Sequence, residues 1–203
     1  MIDKGAVFPM FYLPPVEYFT KLKFYKPGIL IEKEEFFPKQ TYRNHANIYS
    51  PDGSLTITVP VVKGSKLRSI TKDVKISYDF RWQRLHWMSL QSCYRRSAYF
   101  EYYEDDFAHF YENKPTFLFD YNQELLHLLL KLIKMPIELT YTETYEKGYP
   151  NLTDLRSSMS AKKEPNAEQK PYFQVFEERK GFLRNLSIVD LLFNQGPQTI
   201  NYL

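Results

Sequence analysis

The sequence predicts one α/β or α+β domain, in which helices cover a mixed sheet that includes an N-terminal βαβ unit and a β-hairpin. Three observations carry that prediction: a strand, helix, strand pattern over residues 6–31, an alternating apolar hairpin over 42–62, and amphipathic helices over 80–94 and 120–134. A chain of 203 residues suits a single core over 1–203. Its 43% hydrophobic and 25% charged residues are those of an ordinary globular protein and exclude collagen-like, disordered and membrane-spanning classes.

Residues 6–13 are apolar throughout and read as a buried strand. Pro9 interrupts it and predicts an edge position or a bulge, because proline cannot donate to a ladder. Pro15 suits the first turn of a helix, Tyr18, Phe19, Leu22 and Tyr25 follow at helical spacing, and Pro27 with Gly28 stops it. Ile29, Leu30 and Ile31 make a second strand, parallel to the first across the crossover. Residues 42–49 and 55–62 flank Pro51, Asp52 and Gly53 as a hairpin, with Leu55, Ile57 and Val59 alternating against Thr56 and Thr58. Pro60 and the run 63–66 close it as a polar loop, and Val74 to Ile76 form a brief strand.

Asp79 is placed to cap a helix over 80–94 whose outer face carries Arg84, Gln91 and Arg95, which turns His86, Ser89, Leu90 and Cys93 inward. A shorter helix is predicted near 103–111. In the helix over 120–134, Asp120 and Gln123 have capping-box spacing, and Glu124, His127, Lys131 and Lys134 share a solvated face. Ile137, Leu139 and Tyr141 alternate as a half-buried strand. The polar stretch 146–170 reads as a long surface loop. Beyond it, 171–203 regains apolar character and packs back on the core, with a capping box from Ser187 to Asp190 and a stop at Gly196 and Pro197.

Aromatic residues make up 17% of the chain, including 17 Tyr and 16 Phe, which is more ring surface than a core of this size needs. Rings can act as platforms for sugars or bases, although most will be core. The net charge of +3 is spread along the chain, so no basic stripe points to nucleic acid. The single Cys93 forms no internal disulfide and suits a reducing compartment. Neither a signal-peptide pattern nor an apolar run long enough to span a bilayer is present, so the chain is expected in the cytoplasm without an integral membrane segment.

The first βα turn, residues 11–15, contains no glycine, which excludes a dinucleotide fingerprint, and no Walker-type loop occurs. The histidines at 45, 86, 109 and 127 show no zinc-helix spacing, so neither metal nor cofactor is expected. Cys93 beside Arg95 and Arg96 would be a nucleophile only if exposed, and its inward position argues against that. Lys39, Arg43 and Asn44 form the densest polar cluster beside apolar strands, suited to phosphate or carboxylate or to a solvated strand end. On a strand over 42–49, Arg43 and Tyr49 face one way and Tyr42, Asn44 and Ile48 the other. His86 is the acid-base candidate because its ordinary pKa lies near neutrality, whereas a lone inward histidine is ordinarily a satisfied core residue. Glu101, Glu104, Asp105 and Asp106 cluster on a turn where carboxylates ordinarily hydrate.

Several blocks occur together in order: Tyr12, Leu13, Pro14, Pro15, Tyr18 and Phe19; then 39–44; Leu55, Thr56 and 59–61; Trp82, His86 and Trp87; 97–103; 172–176; and 185–194. In this combination the chain resembles the WbqC-like family. Ala98 stands where that family typically has Pro, His45 where a basic or small residue is usual, and Arg184 where Pro is common. The resemblance implies an association with bacterial surface polysaccharides such as O-antigen. The expected function is a transferase-like enzyme acting on an activated or phosphorylated sugar, with Lys39 and Arg43 on the anionic group, Asn44 on a hydroxyl, His86 as base, and Tyr94 or Tyr99 as a stacking or hydroxyl contact. The rivals are a non-catalytic module that binds or assembles glycan-biosynthesis enzymes, and, last, a Cys93-dependent acyl transferase.

Overall fold

A computed structural model describes residues 5–62, 69–160 and 169–203; the run 63–66 and part of the expected loop, 161–168, lie outside the described residues. Strand β1 (Gly5–Pro9), helix α1 (Val16–Tyr25) and strand β2 (Ile29–Glu32) make the expected unit, with the strands parallel from Ala6 opposite Ile29 to Pro9 opposite Glu32. Strands β3 (His45–Ser50) and β4 (Gly53–Thr58) form the antiparallel hairpin. Two short parallel strands, β5 (Thr140–Tyr141) beside β2 and β6 (Leu152–Asp154) beside β1, complete a sheet of order β5-β2-β1-β6. Parallel and antiparallel strands therefore segregate into two sheets.

Four local expectations are corrected. β1 is central, not an edge; Pro9 is tolerated because it is the last residue of β1, beyond Val7, where pairing with β6 ends. β3 starts at His45, so Tyr42, Arg43 and Asn44 precede it in a turn in which Asn44 and His45 donate backbone N–H to the Thr41 carbonyl. The alternation over 137–142 pairs only at Thr140 and Tyr141. The polar stretch 146–170 contains β6, held to Val7 by the Leu155 amide at 2.9 Å.

The helices are α2 (Trp82–Tyr94), α3 (Phe100–Glu112), α4 (Leu118–Leu132), the single turn α5 (Glu177–Lys180) and α6 (Ile188–Gln195). Asp79 does not cap α2; its carboxylate accepts from the Ser77 hydroxyl at 2.7 Å. α4 starts ahead of Asp120, which instead lies in the first turn, where a carboxylate complements the helix dipole. Ser187 does cap α6, accepting from the Val189 amide.

The core joins Phe8, Tyr12, Tyr18 and Phe19 of the βαβ unit to Leu125, Leu126 and Leu129 of α4 and Leu191, Leu192 and Phe193 of α6. The turn after β1 is fully buried and clamped from two sides. Tyr12 donates its amide to Tyr42, Val16 donates to Leu186, and Ile188 donates to Pro14 at 2.8 Å. This clamp fixes where Tyr12 points.

At the end of α6, Gly196 has φ of 52°, and a Cβ there would come within 2.5 Å of the Tyr99 ring. Gly196→Ala is expected to destabilise the fold by about 1–3 kcal/mol, from left-handed backbone strain plus overpacking, as read by urea unfolding. An unchanged midpoint would contradict this packing.

Candidate functional site

In open α/β sheets ligands bind beyond the carboxyl ends of the parallel strands. Here β2 ends in Glu32, which is fully buried, and β6 ends in Asp154. Arg156 bridges them: one guanidinium nitrogen donates to Glu32 at 3.0 Å and the other to Asp154 at 2.5 Å. It also donates to the carbonyls of Glu146 and Lys147, and its plane lies 5.3 Å from the rings of Tyr145 and Tyr149. The hydrogen bond to Asp154 holds the guanidinium above its ordinary pKa and the Asp154 carboxyl below its own.

Arg43 extends this layer. Its guanidinium pairs with Glu35 and donates to the Arg156 carbonyl at 3.1 Å, beside the Phe11 ring. Burial lowers the Arg43 pKa and raises that of Glu35, while each opposes the other's shift. The Arg43 carbonyl accepts from the Asn122 side chain at 2.7 Å, and the Asn44 side chain donates to Val59 at 3.0 Å.

Behind these amides lies a group of rings. The Tyr12 hydroxyl is 3.0 Å from His86 Nδ1 and 3.1 Å from the Tyr111 hydroxyl. Tyr12 stacks on Tyr121 at 6.0 Å, and Trp82 meets both His86 and Tyr121 edge-on. Burial pushes the His86 pKa down to about 4, against a smaller opposing effect of the Thr58 backbone, so the imidazole is neutral near pH 7. Burial likewise raises the hydroxyls of Tyr12, Tyr111 and Tyr121, which stay protonated. Four side-chain atoms in this region have no hydrogen-bond partner among the described residues: Asn44 Oδ1, Asn122 Oδ1, Trp82 Nε1 and the Tyr121 hydroxyl. Such atoms cost free energy when buried unpaired, so each calls for a reason.

Of the residues singled out in the sequence, Arg43, Asn44 and His86 fall in or beside this layer, linked through Asn122, Tyr42 and Tyr12. Lys39 is exposed on the loop leading to it. Tyr94 and Tyr99 do not join them. Tyr94 lies eight residues, about 12 Å, beyond His86 along α2, and its hydroxyl accepts from the Tyr49 amide at the far end of β3. Tyr99 packs on Gly196 and precedes α3. Cys93 is buried, and burial raises its thiol pKa. His127 is exposed, as its helical face predicts. Among the described residues no cluster of His, Cys, Asp and Glu could hold a metal ion.

The family model of WbqC-like proteins matches residues 10–168, which include every member of this layer. The chain belongs to the WbqC-like protein family. It is also similar to Uncharacterized protein Rv1507c of Mycobacterium tuberculosis, 27% identical over 229 aligned positions that cover 100% of this chain and 98% of that protein. No solved structure matches the chain.

A second buried polar group lies in this WbqC-like chain beyond the family match, where the Asp190 carboxylate accepts from Tyr172 at 2.7 Å and Gln174 at 3.0 Å. Desolvation outweighs these hydrogen bonds and raises its pKa to about 6.

Two predictions follow from these charges. Arg156→Met removes the partner of a fully buried Glu32 and is expected to cost about 3–5 kcal/mol in urea unfolding, with Leu152–Asp154 amides losing hydrogen-exchange protection first. A loss below about 1 kcal/mol would show the ion pair to be incidental. The second concerns pH. His86, depressed from 6.5 to about 4, contributes stability present above pH 6.5 and lost as pH falls towards 4. Asp190, raised from 3.8 to about 6, contributes stability present below pH 3.8 and lost as pH rises through 6. The slopes oppose, so Asp190→Asn should make stability fall more steeply than in wild type on acidification from pH 6.5 to 4, and His86→Gln should make it rise relative to wild type on going from pH 6 to 4. Parallel pH profiles for wild type and both variants would refute the assignment.

Proposed function

We propose that the chain serves the assembly of a bacterial surface polysaccharide, O-antigen or another glycan, as a transferase-like enzyme that takes an activated or phosphorylated sugar at the carboxyl edge of its parallel sheet. The observation that carries this reading is the set of unpartnered atoms beside stacked rings: two amide oxygens that accept, an indole N–H that donates and a phenol that does either. Sugar hydroxyls complement such a set, each able to donate to an amide oxygen and accept from an N–H or O–H, while ring faces cover the apolar side of a pyranose.

In this reading Asn44 and Asn122 orient hydroxyls. Lys39, exposed on the approach, meets the anionic group, and Arg43 fixes the loop behind it through Glu35. His86 is neutral near pH 7 but, with its pKa pushed down to about 4, is a weak base, so in this reading it positions the Tyr12 hydroxyl bonded to it. One observation favours the second reading, a non-catalytic module that binds a glycan intermediate or enzyme: His86 Nδ1 is already engaged, and both guanidinium groups are already paired.

Tyr121→Phe tests the site. It deletes a hydroxyl that has no partner among the described residues, so thermal stability should hold or rise, while binding of nucleotide sugars or phosphosugars, screened by calorimetry against the full chain, should weaken by about 1–3 kcal/mol. Failure of every such compound to bind wild type would remove the enzyme reading. Binding without turnover would favour the second.

A further inference from the structure

Helix α2 has two faces of opposite character. Its inner face supplies Trp82, His86, Leu90 and Tyr94 to the core, whereas its sequence contains no acidic residue. On the helical wheel, positions 84, 85, 88 and 92 fall within about 100° of one another on the solvent side, flanked by Arg81 at the amino cap and by Arg95 and Arg96 at the carboxyl end. That ridge presents Arg81, Arg84, Arg95 and Arg96, all exposed, around Leu85 and Met88, which are 57% and 52% exposed. Phe80 adds a third large apolar side chain, 52% exposed, at the amino end. Among the described residues the only ion pair made by these arginines is a loose one, Arg95 to Glu104 at 3.7 Å with the Arg95 side chain 61% exposed.

Exposed apolar side chains interleaved with exposed cations are the pattern of a helix lying in a bilayer interface, where the apolar groups insert and the arginines remain at headgroup level. A second feature points to the same ligand. Beside the amino half of α2 is a cleft of about 260 Å³ whose walls include Arg81, Arg84, Lys114 and Phe80, with Glu112 as its single acid. It has the size and charge for a phosphate-bearing headgroup. No helix among the described residues is long and apolar enough to cross a membrane, so any attachment by this face would be peripheral.

We propose that the solvent face of α2 is a docking surface for anionic phospholipid. A lipid surface fits better than an acidic protein because the cations are spread along about 20 Å of the ridge, with Arg81 and Arg84 beside Phe80, Leu85 and Met88, which suits a laterally uniform sheet of negative charge over hydrocarbon. The cleft shares Tyr111 with the ring group behind it, whereas the four ridge positions tested below, 81, 84, 85 and 88, belong to no part of the sugar site.

The full chain should co-sediment with vesicles of phosphatidylcholine mixed with phosphatidylglycerol and stay in the supernatant with phosphatidylcholine alone. Added salt should release it, and inorganic phosphate at the same ionic strength should release no more than chloride does. Arg81→Glu combined with Arg84→Glu should weaken vesicle binding by at least about 30-fold, from roughly fivefold per cation removed. Leu85→Ser combined with Met88→Ser should weaken it separately, and all four positions are exposed, so both variants should keep the wild-type circular dichroism and melting temperature. The proposal is overturned by absence of binding to the anionic vesicles, by equal binding to both compositions, or by either variant binding as wild type does. Capture of an acidic protein through this face without vesicle binding would overturn it as well.

Discussion

The architecture depends on one buried charge. Glu32 ends a central parallel strand with its carboxylate out of water, and a carboxylate in that position must be paired or neutralised. Arg156 pairs it, and because the guanidinium has further donors to satisfy, it also collects Asp154 and the carbonyls of Glu146 and Lys147. The same interaction that satisfies Glu32 thus draws a polar segment onto the sheet as β6. Arg43 then uses the Arg156 carbonyl and Glu35 to close the layer, and its own carbonyl holds Asn122 of α4. Sheet edge, hairpin entry and helix are tied together by two arginines.

The excess of aromatic residues is explained by a related need. Much of the chain runs outside regular strands and helices, and its carbonyls and amides need partners when buried. Tyrosine hydroxyls supply them: Tyr18 donates to Pro9, Tyr49 to Phe176 and Gly181, Tyr78 to Pro115, and Tyr94 accepts from the Tyr49 amide. Each ring fills core volume while its hydroxyl pins an irregular segment. Most of the ring surface that composition alone could assign to a ligand is therefore architectural, and the exceptions are the rings around Tyr121 and Trp82, whose polar atoms pin nothing among the described residues.

These two points mark what the sequence makes legible. The βαβ unit, the hairpin turn, the Ser187 cap and the inward turn of His86 follow from local periodicity and punctuation, and all are present. β6 was hidden because its pairing is set by Arg156 meeting a charge more than a hundred residues away, while its own residues are polar. Arg43 and Asn44 could be picked out by type, but the turn that buries both depends on backbone contacts with Thr41 and Tyr12. Asn122 carried a signal that helical spacing could have exposed: it shares a stripe with Leu118, Leu125 and Leu129 on the apolar face of α4, a place where an amide needs a reason. Tyr94 was misplaced because residues eight apart on a helix share a side yet sit two turns apart along the axis.

Helix α2 connects the interior to the surface. Within 13 residues it places His86 and Trp82 against Tyr12 and Tyr121, and on the opposite side it exposes Leu85 and Met88 among arginines. A helix with its side chains is about 10 Å across, so a ligand held at the inner face would lie roughly that far from whatever covers the outer one. With lipid there, the proposed sugar site would sit just beneath the headgroup layer. The imidazole is fixed by rings packed on both sides, so docking on the ridge could add contacts outside without rearranging it, and Tyr111 is the one member of the ring group that also lines the outer cleft. Recognition of a surface and recognition of a hydroxylated ligand can then be altered separately, because one helical repeat keeps their side chains on opposite sides of the same backbone.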